Sequence, residues 1–157
     1  MIVRNTSRYP TDEVRDLVRF ATAGLDMRRV CVNVKNSNVH VCAGWAYDGV
    51  PEISNAPVSS EYLITVRLGG PERFPARLPT KKRSPDITVG CWREALVAMA
   101  AHEAKHVEQF RARAPRSEVV CERFEAWMLD RYRASANGGS KQPGRRSRGT
   151  SAPRPLR

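Results

Sequence analysis

The stretch Ala100-Ala101-His102-Glu103-Ala104-Lys105-His106-Val107 places two imidazoles four residues apart, with a carboxylate directly after the first. On an α-helix, residues i and i+4 project from the same face, so His102 and His106 can each direct a ring nitrogen at one metal ion. Glu103 would then lie beside the ion, where it can meet a water molecule. The chain has 3 histidines in 157 residues, and two of them form this motif. The stretch therefore predicts a metal site on a helix.

The residues around the motif favour a helix over residues 88–113. Thr88 is a candidate N-cap, and Pro115 follows the end of the pattern. The larger apolar residues share one stripe with the two histidines, so the histidines should face inward. These apolar residues are Trp92, Leu96, Met99 and Phe110.

A second helix is predicted over residues 116–134, after Pro115. It carries Glu118, Glu122 and Glu125 at positions i, i+4 and i+7, on one side. A catalytic zinc ion needs a third protein ligand and an open position for water. Glu118 is our first choice for this ligand. The alternative is a solvated helix face on which the acids pair with neighbouring arginines.

The motif together with Glu118-Val119-Val120-Cys121-Glu122-Arg123-Phe124 resembles the gluzincin metallopeptidases, in which an E-x-x-x-D pattern follows HExxH on the next helix. The resemblance covers roughly residues 60–134. It implies that Glu118 binds zinc and that Glu122 accepts a hydrogen bond from the far nitrogen of a liganding histidine. If the turn at Pro115 is too tight for Glu118 to reach the metal, Glu122 would be the ligand instead. Small intracellular relatives that cleave repressors or DNA-crosslinked proteins share this compact plan.

These residues predict a zinc-dependent peptidase acting on a protein or peptide substrate. Zn²⁺ held by His102, His106 and Glu118 would lower the pKa of a water molecule and polarise the scissile carbonyl. Glu103 would act as the general base. The candidates for stabilising the oxyanion are Tyr132, His40 and the arginines of residues 73–83.

The rest of the chain predicts an α+β fold, a minimal zincin-like domain with an N-terminal helix over residues 11–23 and an antiparallel sheet of at least three strands. Alternating residues around Asn36-Ser37 predict a hairpin that pairs Val32 with Val41. This register also sets Cys31 opposite Cys42, where a disulfide is an alternative to two thiols. It sets His40 opposite Asn33. A strand histidine is usually solvated, but His40 is also a candidate third ligand or substrate contact.

Residues 61–68 predict the third strand. By the resemblance, this strand would be the sheet edge that pairs with an extended substrate. Residues 69–87, which contain several prolines and arginines, predict a long loop. This loop is either a rim over the cleft or a solvated linker.

The positive charge is concentrated at the C-terminus. Residues 134–157 contain no acid and carry +6 of the total +11, which leaves +5 for residues 1–133. We therefore predict a catalytic domain over residues 1–133 and a disordered basic tail over residues 134–157. The tail is either a weak, salt-sensitive arm for nucleic acid or a solubilising terminus. The alternative function is a basic nucleic-acid-binding or virion-type accessory protein with a vestigial HExxH motif. The six cations are Lys141, Arg145, Arg146, Arg148, Arg154 and Arg157.

The sequence predicts a cytoplasmic protein with no membrane partner. No apolar run is long enough for a membrane span, and the N-terminus lacks the apolar core of a signal peptide. None of the 4 cysteines forms a CxxC pair, so we expect reduced thiols rather than a structural zinc knuckle.

Overall fold

The structure is a computed structural model that describes residues 1–52, 55–81 and 84–138. Its last helix runs to Gly138, beyond the predicted domain end at residue 133. All six cations of the predicted tail fall in residues 139–157, which lie outside the described residues, as do Lys82 and Arg83 of the predicted loop.

The three predicted helices are confirmed, although the predicted N-cap Thr88 lies in a strand and the second helix begins only at Trp92. They are α1 (Thr11–Ala21), α2 (Trp92–Arg111) and α3 (Glu118–Gly138). In α1 the spacing of Val14, Leu17, Val18 and Ala21 buries one face. Among the described residues, no helix carries an apolar stretch that could cross a bilayer.

The predicted α+β class is confirmed, but the main sheet is mixed rather than antiparallel. Its strands are β1 (Ile2–Asn5), β2 (Val30–Asn36), β3 (Cys42–Asp48) and β4 (Tyr62–Leu68). They lie in the order β1-β2-β4-β3. β1 and β4 both pair with β2 in parallel, and β3 pairs antiparallel with β4.

The predicted hairpin between residues 28 and 47 is wrong. β4 lies between β2 and β3, so Val32 pairs with Ile64. Residues 37–41 form a loop in which Val39 is 75% exposed. Cys31 and Cys42 therefore lie on strands that are not neighbours, and both are free thiols.

The predicted loop of residues 69–87 contains regular structure. A short 3-10 helix covers Pro71–Arg73, and β5 (Ala76–Leu78) pairs antiparallel with β6 (Ile87–Val89). The chain between β5 and β6 passes beside α3, where Glu122 accepts hydrogen bonds from the Lys81 backbone N–H and the Ser84 hydroxyl. This segment forms one wall of the cleft described below.

The core lies between the main sheet and the helices. Alternate residues of β2 and β4 meet Leu96 and its neighbours on α2, because side chains of a strand point to opposite faces in turn. At the first residue of α2, Tyr9 stacks on Trp92 with ring centroids 4.1 Å apart. The fully buried residues that β2 and β4 contribute to this core are Val30, Val32, Val34, Ile64, Val66 and Leu68.

Candidate metal centre

Helix α2 holds the motif against the edge strand β3. A run of alanines allows the helix to approach the sheet closely, and Ala98, Ala101 and Ala104 are fully or almost fully buried. At Gly44 of β3, an added Cβ would lie 2.6 Å from Oε1 of Glu103, so any larger residue here would displace that carboxylate. Nothing in the sequence pattern singled out this glycine.

The three residues predicted as metal ligands lie together. Nε2 of His102 is 3.3 Å from Oε2 of Glu118, and Nε2 of His106 is 3.4 Å from Oε1 of the same carboxylate. The two imidazole centroids are 5.0 Å apart. Glu118 is half-exposed and also pairs with Arg116 at 3.3 Å.

The turn between α2 and α3 allows Glu118 to reach the histidines. The Gln109 side chain bridges the turn, accepting from the Ser117 N–H at 3.2 Å and donating to the Ser117 carbonyl at 3.3 Å. Arg113 reverses the chain in the left-handed region, with φ 50°. Helix α3 therefore starts at Glu118, directly beside His102 and His106.

The role predicted for Glu122 is corrected by the structure. Among the described residues, Glu125 accepts the hydrogen bond from Nδ1 of His102, at 2.9 Å, while Glu122 bonds to Lys81 and Ser84. Nδ1 of His106 lies 3.1 Å from Oε1 of Gln109. Each histidine thus has a partner for Nδ1, which leaves Nε2 available toward Glu118.

Cys121 is a further residue that the sequence analysis did not connect with the motif. His102, His106 and Cys121 form a cluster that could hold a metal ion, with one ligand atom of each within 4.8 Å of the others. The Cys121 sulfur lies 3.3 Å from Nδ1 of His106. Two donor sets therefore share the histidines, one completed by Glu118 and the other by Cys121.

The centre fits a metal ion because two of its buried polar atoms have no hydrogen-bond partner among the described residues. Within the described chain, Nε2 of His106 and Oε2 of Glu103 are buried without a hydrogen-bond partner. Such atoms are costly unless a ligand satisfies them. Burial lowers the pKa of His106, which favours the neutral imidazole that a metal requires. Burial also raises the pKa of Glu103 to about 7.

The centre opens into a cleft of about 570 Å³ between β3, α2, α3 and residues 78–81. His40 lies at its rim but outside the metal-capable cluster, and Arg116 and Lys81 are its other basic lining residues. The cleft holds a local excess of acids in a strongly basic chain, which favours a divalent cation. Its acidic lining residues are Glu103, Glu118, Glu122 and Glu125.

Most of the residues predicted as candidates for stabilising an oxyanion lie outside this cleft. Tyr132 packs edge-on against Phe20, with centroids 5.7 Å apart, and does not line the cleft. Arg73 donates to the carbonyls of Asn38 and Val39, and Arg77 pairs with Asp86. Of the described candidates, only His40 remains beside the cleft.

Comparisons of the chain with protein-family models, with curated proteins and with solved structures found no match. A functional assignment therefore depends on the chemistry of the centre itself.

Proposed function

We propose that the chain is a zinc-dependent metallopeptidase whose metal is held by His102, His106 and Glu118. The observation that carries the proposal is the convergence of both Nε2 atoms on the Glu118 carboxylate, within 3.4 Å. Two imidazoles and one carboxylate are a common ligand set of catalytic zinc, and they leave the fourth position open.

Glu118 is favoured over Cys121 as the third ligand because the two residues lie beside different ring nitrogens of the histidines. Glu118 faces Nε2 of both histidines, whereas the Cys121 sulfur lies beside Nδ1 of His106, which also faces Gln109. Burial raises the pKa of the Cys121 thiol to about 12, which disfavours the thiolate that would bind a metal.

A bound zinc ion would supply a Lewis acid that polarises the scissile carbonyl and acidifies water. Glu103 would take the proton of the attacking water and pass it to the leaving amine. Without a metal, burial raises the pKa of Glu103 to about 7, and a bound cation would lower it, so the carboxylate would be ionised and able to act as the general base at neutral pH. Glu125 would hold the His102 ring through its 2.9 Å contact with Nδ1.

The strand proposed to pair with substrate is β3. Residues 61–68 were expected to form the sheet edge, but they form β4, which is flanked by β2 and β3. Within the described chain, β3 has one side without a strand partner, and its first four residues, 42–45, line the cleft. An extended peptide added to this edge would carry its backbone past Glu103.

The first test is the metal content of the purified, untagged protein, measured by mass spectrometry with and without added zinc. We expect about one zinc ion per chain, with occupancy lost in His102→Ala and Glu118→Ala. Cys121→Ser and Glu122→Gln serve as matched variants, and we expect both to retain zinc. Loss of zinc in Cys121→Ser with retention in Glu118→Ala would assign the centre to the other donor set.

The second test is hydrolysis of a fluorescence-quenched peptide library. Glu103→Gln should bind zinc normally and lose at least about 10²-fold in rate, the scale of general acid–base catalysis. Wild-type hydrolysis in this variant, after a mock purification has excluded contaminating proteases, would contradict the proposal.

A further inference from the structure

The face of the main sheet opposite the helices carries aligned aromatic, basic and amide side chains. The strand register places Arg4 beside Asn33, Asn33 beside Thr65, and Thr65 beside Trp45, in one row across all four strands. The neighbouring rows pair Lys35 with Arg67 and Leu63 with Tyr47. Because paired residues point to the same face, these side chains form one continuous surface.

This surface, which we call the outer face, contains a cleft of about 660 Å³. A smaller depression continues it across β2 to β1, where Arg4 and Lys35 lie. Neither depression has an acidic lining residue among the described residues. The outer face is therefore opposite in character to the metal cleft, which holds four glutamates. Its charge is complementary to a polyanion.

Two flat aromatic rings are exposed on the outer face. Trp45 is 41% and Tyr47 40% exposed, and they lie on alternate positions of β3. The Arg67 guanidinium lies 5.7 Å from the centroid of the Trp45 ring. An exposed ring beside a guanidinium can stack on a base while the cation meets the adjoining phosphate.

The floor of the cleft is polar and buried. Asn33 is 5% and Thr65 9% exposed, and both line the cleft. Within the described chain, the only side-chain hydrogen bond of Asn33 is the weak one from the Cys31 thiol to Oδ1, at 3.6 Å, so its amide NH₂ has no protein acceptor. This amide can donate to a group outside the protein, and the edge of a base offers suitable acceptors.

We propose that the outer face binds single-stranded nucleic acid. Bases would stack on Trp45 and Tyr47, phosphates would meet Lys35 and Arg67, and Asn33 would hydrogen-bond a base edge. Four strands at about 4.8 Å spacing give a platform about 14 Å wide, enough for two or three stacked bases. A duplex is a poorer fit because its bases are stacked on each other and cannot present their faces to the rings. The proposal does not depend on peptidase activity.

The experiment measures binding of a fluorescein-labelled 12-nucleotide oligothymidylate to the full chain by anisotropy. An abasic phosphodiester of the same length and a 12-base-pair duplex serve as comparison probes. We expect the oligothymidylate to bind at least about tenfold more tightly than the abasic strand, because stacking on an aromatic side chain contributes that much per base. Trp45→Ala should remove this preference, and Trp45→Phe should retain most of it.

The matched control is another exposed arginine–tryptophan pair, which lies on α3. Trp127 is 51% exposed, and the Arg131 guanidinium lies 4.8 Å from the centroid of its ring. Trp127→Ala should bind the oligothymidylate as the wild type does. Arg67→Gln should reduce the slope of log affinity against log salt by about 0.7.

Three results would overturn the proposal. One is equal binding of the oligothymidylate and the abasic strand by the wild type, which would assign binding to phosphate contacts alone. Another is the same affinity for oligothymidylate in Trp45→Ala as in Trp127→Ala. The third is tighter binding of the duplex than of the single strand. Circular dichroism of each variant checks that it is folded.

Discussion

Among single residues, Glu125 controls which nitrogen of His102 is free. It is 2% exposed and accepts from Nδ1 at 2.9 Å, so the lone pair stays on Nε2. Glu125→Gln can turn its NH₂ toward Nδ1 and favour the opposite tautomer. We expect zinc affinity, measured by competition with a chromogenic chelator, to fall about 10- to 100-fold. Glu122→Gln is the control, and an equal loss in both variants would contradict the role assigned to Glu125.

The three acids of α3 show which contacts of the metal centre could be predicted from the sequence and which could not. Their spacing correctly put Glu118, Glu122 and Glu125 on one side of a helix. The partner of each acid depends on where α2 and residues 79–84 lie, and helical periodicity carries no information about other elements. Glu118 was predicted beside the histidines because a catalytic zinc needs a third ligand and because of the gluzincin resemblance, and neither argument gave the contacts of Glu122 and Glu125.

At the scale of elements, the contact between α2 and β3 limits what can stand at Gly44. Gly44→Ala would place a methyl group 2.6 Å from Oε1 of Glu103, so the carboxylate has to move. We expect about 1–3 kcal/mol of destabilisation, together with loss of most peptide hydrolysis and normal zinc content. Gly90→Ala is the control, because its new Cβ would lie 3.6 Å from Oε2 of Glu94, an ordinary contact. Unchanged hydrolysis in Gly44→Ala would show that Glu103 does not need this space.

The link between α2 and α3 should make stability depend on pH. Arg133 bonds both oxygens of Glu94, at 3.0 and 2.7 Å, and this lowers the pKa of Glu94. A lowered folded-state pKa stabilises the fold above the unfolded value of about 4.3, and the contribution is lost as the pH falls through the folded value. Because Arg133 is 39% exposed, we expect at most about 1 kcal/mol from the pair.

Urea denaturation of Glu94→Gln at several pH values tests this link. The variant should be less stable than the wild type at pH 7, and the two curves should approach each other toward pH 3. Asp16→Asn, which breaks an ion pair whose side chains are 76% and 68% exposed, should have little effect at either pH. A constant difference between Glu94→Gln and wild type from pH 7 to pH 3 would rule out the ionised pair as its cause.

The helices were predictable and the sheet order was not, for a physical reason. Residues 92–111 form a helix through local hydrogen bonds, so a pattern within the segment is sufficient. Alternation in β2 correctly gave the faces of its side chains, but alternation cannot select a partner strand. β2 pairs with β4, about thirty residues further along the chain, and the nearer β3 joins the far side of β4.

For the whole molecule, residues 139–157 provide six of the cations behind the net charge of +11. Deleting them leaves the bonds from Arg133 to Glu94 and to the Thr88 carbonyl in place. We expect a melting temperature within about 2 °C of the full chain and elution from a cation exchanger at lower salt. The preference for oligothymidylate over the abasic strand should persist. Its disappearance would assign base recognition to the deleted segment.

The free side of β3 also affects how the protein behaves in concentrated solution. Among the described residues, β3 has no strand partner on its outer side, and unpaired backbone groups along a strand edge can join a second chain. The strand also carries the exposed rings of Trp45 and Tyr47. The net charge of +11 makes two copies repel each other. This repulsion reaches about 10 Å at 0.1 M salt but only about 3 Å at 1 M salt. Light scattering should therefore rise with ionic strength, and this protein should stay dispersed best in buffers of low salt.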